Sequence, residues 1–153
     1  MNNFKIVLVE PEIPQNTGNI IRTCACTGSD LYIVGQPGFV FTDKHLKRCG
    51  LDYHDAANII RYPDIQTLLD DFPDSNFYWF TTKSKNLYSS VSFKFGDFLV
   101  FGPESRGLDE DLLKKYHKNA LTLPMRKGQR SLNLSNSVAI AVYEAVRQCG
   151  LPD

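Results

Sequence analysis

Three stretches of this chain concentrate residue types that can bind a polar ligand and act on it. They are EPEIPQNTGNIIRTCACTG at Glu10 to Gly28, FGPESRGL at Phe101 to Leu108, and LPMRKGQRSLNLSNSVAIAVYEA at Leu123 to Ala145. In the second, Gly102 and Gly107 can open backbone N–H and C=O groups to a ligand, which is enough to read a purine edge. A plain strand-to-helix turn, with Glu104 favouring a helix N-terminus, accounts for the same residues equally well. The third runs from a strand end through a basic loop, Arg126, Lys127 and Arg130, to Ser131, Asn133, Ser135 and Asn136. Capping a helix takes one Ser or Asn, so four within six positions leave a surplus for a ligand. In the first, Arg22 stands among neutral neighbours in the company of Asn16 and Asn19. An arginine there is either a solvated, ion-paired surface group or the lone cation of a site.

These residues define a cleft made by three loops, with backbone donors and one cation. Other chemistries are excluded by pattern. Neither GxxxxGK[ST] nor GxGxxG occurs, so there is no P-loop and no dinucleotide fingerprint. No metal is expected: Cys24 and Cys26, two apart on a predicted helix, point to nearly opposite faces and do not suit one ion. Cys24, Cys49 and Cys149 read as thiols behaving like small hydrophobes. Asn133-Leu134-Ser135 matches an N-glycosylation pattern that, without a secretory signal, is accidental.

The elements that must position these loops alternate between strand and helix along the chain. Short apolar runs at Phe4 to Val9, Leu31 to Val34, Phe77 to Phe80, Phe98 to Phe101 and Ala120 to Leu123 predict buried parallel strands. Between the first two, Ile20, Ile21, Cys24 and Ala25 form an apolar helical stripe, with Asn16, Asn19, Arg22 and Thr23 on the other face. Helices are also expected at Ile65 to Phe72, Asp109 to Tyr116 and Asn133 to Gln148. The last repeats Leu134, Val138, Ala141, Val142, Ala145 and Val146 at helical spacing, as core, as a dimer seam, or as both, and Gly150 and Pro152 end it. The fold class is therefore α/β, a mostly parallel sheet flanked by helices.

The bulk properties fit that picture. A chain of 153 residues with 42% hydrophobic content makes one domain with a sizeable core, spanning 1–153 with no separate RNA-binding domain. The first apolar run is broken at Glu10 and Pro11, giving neither a signal peptide nor a membrane span, so the expected location is cytoplasmic with no membrane partner. Lys plus Arg and Asp plus Glu balance at 17 each, so a polyanion must be held by local clusters rather than a global field.

Taken with GLDYHD at Gly50 to Asp55 and TTK at Thr81 to Lys83, these motifs, in this order and spacing over nearly the whole chain, resemble the SPOUT-class tRNA 2'-O-methyltransferases. The likeness is to the small TrmL-type enzymes that methylate the wobble nucleotide. It implies a SPOUT fold with a C-terminal trefoil knot, a homodimer, S-adenosylmethionine as methyl donor and S-adenosylhomocysteine as product. A knot runs against the general rule on chain connections, and nothing in the strand and helix pattern predicts it.

The resemblance also implies roles residue by residue. Phe80, Gly102, Leu123 and Ser131 would hold the cofactor mostly through backbone, with Met125 and Leu132 as walls. Asn16, Arg22, Glu104 and Asn133 match the active-site set. Arg22 takes the place of the base, yet a guanidinium is rarely neutral at physiological pH, so stabilising a developing alkoxide or binding an adjacent phosphate stands beside that role. Candidate RNA contacts are Lys44, Arg48, His54 and Lys83; Lys47 can share a helical face with Lys44 and Arg48, and Lys85, Arg126 and Lys127 fall with Lys83 on loops near the expected pocket. A satisfied structural histidine is an equal reading of His54. Tyr53, Tyr88 and Phe39 are of the type that stacks on bases, and also of the type that packs. The expected function is 2'-O-methylation of cytidine or modified uridine 34 in tRNA leucine isoacceptors. The alternatives are the same reaction on another tRNA position or on rRNA, and a noncatalytic RNA-binding factor.

Overall fold

The computed structural model describes residues 2–42, 44 and 57–153. Among them a six-stranded sheet runs in the order β3-β2-β1-β5-β4-β6. Its strands are β1 (Lys5–Val9), β2 (Asp30–Val34), β3 (Ile59–Tyr62), β4 (Phe77–Phe80), β5 (Phe98–Phe101) and β6 (Ala120–Leu121). Every pairing is parallel, so each connection must carry the chain back across a face of the sheet. Helices α1 (Pro14–Thr27), α2 (Ile65–Asp71) and α3 (Glu110–Lys115) lie in such connections, β4 and β5 are joined without an α-helix, and α4 (Leu134–Cys149) follows the last strand.

Alternation along each strand sorts the core into two layers. Phe4, Ile6, Leu8, Leu31, Ile33, Leu99 and Leu121 pack with Ile20, Ile21 and Cys24 of α1 and Val138, Ala141, Val142 and Ala145 of α4. Val7, Tyr32, Val34, Trp79, Phe98 and Val100 face the other way, against Leu68 of α2 and the partly buried Leu112 and Leu113 of α3. The apolar stripes expected on the first and last helices are therefore core. Ala141 and Ala145, both at 0% exposure, keep that side of α4 slim where it meets the first layer.

Helix ends follow local chemistry. Pro14 opens α1, and Gly28 closes it at φ 67, with its N–H turned back to Ala25 and Cys24 carbonyls. Asp64 caps α2 by accepting from Thr67 N, and Asn133 caps α4. Cys24 is buried and Cys26 exposed, as two positions on one helix require. Burial pushes the Cys24 thiol pKa upward.

Three details depart from the sequence-based expectation. β3 is a strand where none was expected: four residues, mostly half-buried, at the sheet's edge give too short an apolar signal. β6 stops at Leu121, because Thr122 and Leu123 leave the ladder, with Leu87 and Thr122 forming an isolated bridge. Asn16, expected on the polar face of α1, is only 5% exposed. No helix among the described residues is long and apolar enough to cross a membrane.

Candidate active site

The chain runs outward from β1 to β2 to β3, then returns to place β4 and β5 on the other flank of β1. Strand order thus reverses between β1 and β5, the position at which open parallel sheets leave a crevice beyond the strand ends. The turn after β1 begins at Glu10 and the turn after β5 at Gly102, and the two are stitched together. The Glu104 carboxylate accepts from Glu12 N at 2.8 Å and Ile13 N at 2.7 Å, and from Asn16 Nδ2 at 3.2 Å. In return, Glu12 accepts from Ser105 N at 2.8 Å and Ser105 Oγ at 2.9 Å. These bonds hold the Glu12 carboxyl below its usual pKa range.

The physical reason lies in α1. Its N-cap position is Ile13, whose side chain forms no cap bond, so the free N–H groups of the helix start need an acceptor from elsewhere. Glu104 supplies one from a turn 91 residues away, with its negative charge at the positive end of the helix dipole. Asn133 ties in the third segment. Its Nδ2 donates to Asn16 Oδ1 at 3.0 Å, while its Oδ1 accepts from Ser135 N at 2.9 Å and Ser135 Oγ at 2.6 Å. Ser137 Oγ donates to the Asn133 carbonyl at 3.1 Å. Much of the Ser and Asn surplus at this helix start therefore completes the cap.

Beyond this lattice lies a cavity of about 480 Å³, within the range that suits a cofactor-sized ligand. Phe80, Gly102, Leu123, Met125, Ser131 and Leu132 all line it, as do Asn16, Glu104, Asn133 and Lys83. Phe80 stacks on Phe101 with ring centroids 4.7 Å apart at 14°, giving a flat apolar wall. Ser131 is exposed on the loop that leads into α4. Thr81 N donates to Leu121 O at 2.9 Å, fixing the β4 end against β6.

Gly102 lines the cavity and is also required by the turn itself. A Cβ built on it would lie 2.3 Å from the Gly107 carbonyl carbon and 2.3 Å from Leu108 N. The turn folds over Gly102, with Gly107 N donating to Pro103 O at 2.8 Å, so a side chain here would strike the turn's own backbone before any ligand. A branched residue at 102 would therefore disrupt the turn itself.

Arg22 is not among the cavity-lining residues. It is exposed on α1, six residues past Asn16, about 9 Å along the axis and around the helix from it. Lys44 is exposed and away from the cavity lining. Arg48 and His54, with Lys47, Tyr53 and Cys49, lie outside the described residues. Among the described residues, no three of His, Cys, Asp and Glu gather as metal ligands.

The sequence reading missed two cavity-lining cations as site residues, Arg106 and Arg130. Arg106 pairs with Glu10, Nη2 to Oε2 at 2.6 Å. Glu10 has φ 46, the only positive φ among the described non-glycine residues. That left-handed backbone costs about 1–2 kcal/mol. The neighbouring Gly35 is required too, since a Cβ there would sit 2.7 Å from Glu10 Cγ. The signal was present in FGPESRGL, where Arg106 stands between the anchored Ser105 and a glycine.

A parallel α/β sheet whose cavity opens past the ends of β4, β5 and β6, walled by apolar rings and bordered by three stitched turns, defines an α/β protein with a ligand-sized cavity at its strand ends. Over residues 3–143 the chain matches the SpoU rRNA Methylase family, and it belongs to that family. The tRNA (cytidine(34)-2'-O)-methyltransferase of Escherichia coli strain K12 is 47% identical over 150 residues, covering 97% of this chain and 96% of that one. The protein of the same name from Polaromonas sp. strain JS666 is 49% identical over 150 residues, 96% of this chain and 92% of that one. A solved structure presented as insight into the 2-OH methylation of C/U34 on tRNA superposes with a TM-score of 0.89 at 38% identity, covering 96% of each chain.

Proposed function

We propose that this protein is a tRNA 2'-O-methyltransferase that uses S-adenosylmethionine to methylate the wobble nucleotide, cytidine or modified uridine 34, of tRNA leucine isoacceptors. The observation that carries the reading is the convergence of the three motif segments, 88 to 117 residues apart in their cross-links, on one cavity of about 480 Å³. Near-full-length identity to relatives named for C34 methylation supports the nucleotide.

The residues present fit the cofactor. Phe80, Leu123, Met125 and Leu132 offer an apolar wall for an adenine, and the turn at Gly102 presents backbone groups beside it. Ser131 and Asn133 supply polar groups at the mouth. When bound, S-adenosylmethionine supplies a methyl group already activated on a sulfonium, which a ribose 2'-oxygen can take without a metal. The protein's own task is mainly to position that oxygen, and the bonds among Glu104, Asn16 and Asn133 fix the three turns that do so. We assign those residues to organising the reacting centre. Arg22 stands outside the cavity of its own protomer. As the proton acceptor or the stabiliser of the developing alkoxide, it therefore needs a second copy to bring it to the ribose. The proposed enzyme is a cytoplasmic homodimer with a C-terminal trefoil knot. Ile140 and Tyr143, 40% and 49% exposed on α4, supply apolar surface for the seam. Lys83 is a proposed RNA contact at the cavity, and Lys44, Arg48 and His54 are proposed as further RNA contacts.

The test is incubation of purified protein and labelled S-adenosylmethionine with unmodified tRNA, cell-derived tRNA and rRNA fragments, followed by nucleoside mapping. A 2'-O-methyl mark at the wobble ribose is the expected result. Label on rRNA alone, or cofactor and RNA binding without transfer, would overturn it.

A further inference from the structure

We infer that Arg106, aimed by Glu10, is a phosphate-contacting residue of the RNA cleft. The inference rests on the methyltransferase reading above and adds a residue to it. Arg106 lines the cavity with a side chain 61% exposed, and its Nη2 meets Glu10 Oε2 at 2.6 Å. An ion pair this open to solvent adds little stability. It is nevertheless maintained by a left-handed backbone at Glu10 and by a glycine at 35 that makes room for the Glu10 side chain. A strained backbone that serves one weak surface contact points to a purpose other than stability.

That purpose follows from where the guanidinium is held. Its neighbours in the turn, Glu104 and Ser105, are locked to Glu12 and Ile13 by bonds of 2.7–2.9 Å, so the root of the Arg106 side chain does not wander. Glu10 then fixes the tip through Nη2 alone, and a guanidinium carries five N–H donors in a planar fork. The remaining donors match the paired free oxygens of a phosphodiester. The adjacent carboxylate also repels a phosphate that arrives in any other orientation, which favours correctly seated RNA over loosely held RNA.

The experiment compares wild type, Arg106→Gln, Arg106→Lys and Glu10→Gln on a tRNA anticodon stem-loop. It measures RNA affinity against salt, S-adenosylmethionine affinity by calorimetry, and kcat and KM for transfer. Arg106→Gln should bind RNA about tenfold more weakly, and its salt slope should fall by about 0.7, the value of one single-strand phosphate contact, with cofactor affinity unchanged. Arg106→Lys should recover the slope but not kcat, because an ammonium lacks the fork. Glu10→Gln should bind RNA at least as tightly as wild type yet turn over more slowly. A wild-type salt slope in Arg106→Gln, or a loss of cofactor affinity in place of RNA affinity, overturns the inference. Transfer by the wild type to the wobble ribose in the same assay separates that outcome from failure of the underlying reading.

Discussion

Asn133 donates through Nδ2 to Asn16 Oδ1 at 3.0 Å, joining residues 117 positions apart, while its own Oδ1 caps α4. One side chain thus ends a loop, starts a helix and ties both to the first turn of α1. The amide is suited to this because it has a donor at one corner and an acceptor at the other.

Replacing Asn133 by Asp separates those two jobs. The carboxylate can still cap α4, but it cannot donate to Asn16. We expect Asn133→Asp to melt close to wild type and to lose transfer activity, whereas Asn133→Ala loses the cap as well and about 1 kcal/mol of stability. Thermal unfolding beside a methyl-transfer assay distinguishes them. Equal activity in Asn133→Asp and wild type would show that the bond to Asn16 does not matter for function.

Glu104 is the acceptor for the start of α1. Glu104→Ala should cost about 1–3 kcal/mol, because backbone N–H groups at Glu12 and Ile13 lose their partner, and it should expose the loop at 10–13 to proteolysis. Glu104→Gln keeps an oxygen and should recover part of that. Limited proteolysis with urea unfolding checks the order of the three proteins.

The two glycines of the second motif should respond differently. At Gly102, even Ala places a Cβ 2.3 Å from backbone, so we expect a destabilised protein in which stability and cofactor affinity fall together. At Gly107, φ is 70 with open space around the new atom, so Gly107→Ala should cost about 1–2 kcal/mol of backbone strain while leaving the cavity shape intact. Calorimetric titration of S-adenosylmethionine into both variants tests this.

Arg22 offers a test of assembly. A purified heterodimer of Arg22→Ala with a cavity-filling Ser131→Trp protomer should regain about half of wild-type activity if Arg22 acts across the dimer, since one of its two sites is then whole. No recovery would place Arg22 in its own protomer's reaction, and an active Arg22→Ala homodimer would place it outside the reaction altogether.

Asp97 gives a pH signature. Burial raises its pKa above the ordinary 3.8, although Lys94 N and Asn76 Nδ2 bond to it. Below the ordinary value both folded and unfolded chains hold the proton, and the contribution to stability is complete. As pH rises through the raised folded value the unfolded chain has already ionised, so that contribution is lost. Asp97→Asn should remove this acid-side component from a plot of unfolding free energy against pH.

The local content of this fold was legible in the sequence. Strands such as LYIV and FLVF announce themselves because a parallel strand buried on both faces must be apolar throughout, and the stripes of α1 and α4 because a packed helix repeats every third or fourth residue. Family motifs also marked the cavity residues, since Phe80, Gly102, Leu123 and Ser131 stand at strand ends and turns that any such site must use. What only the tertiary structure decided depends on pairs far apart in the chain. Burial of Asn16, the capping of α1 by Glu104, the backbone that Gly102 leaves room for, and the separation of Arg22 from the cavity carry no periodic signal. Each is set by which strand end lies beside which, and that follows from the reversal of strand order between β1 and β5 rather than from any stretch of neighbouring residues.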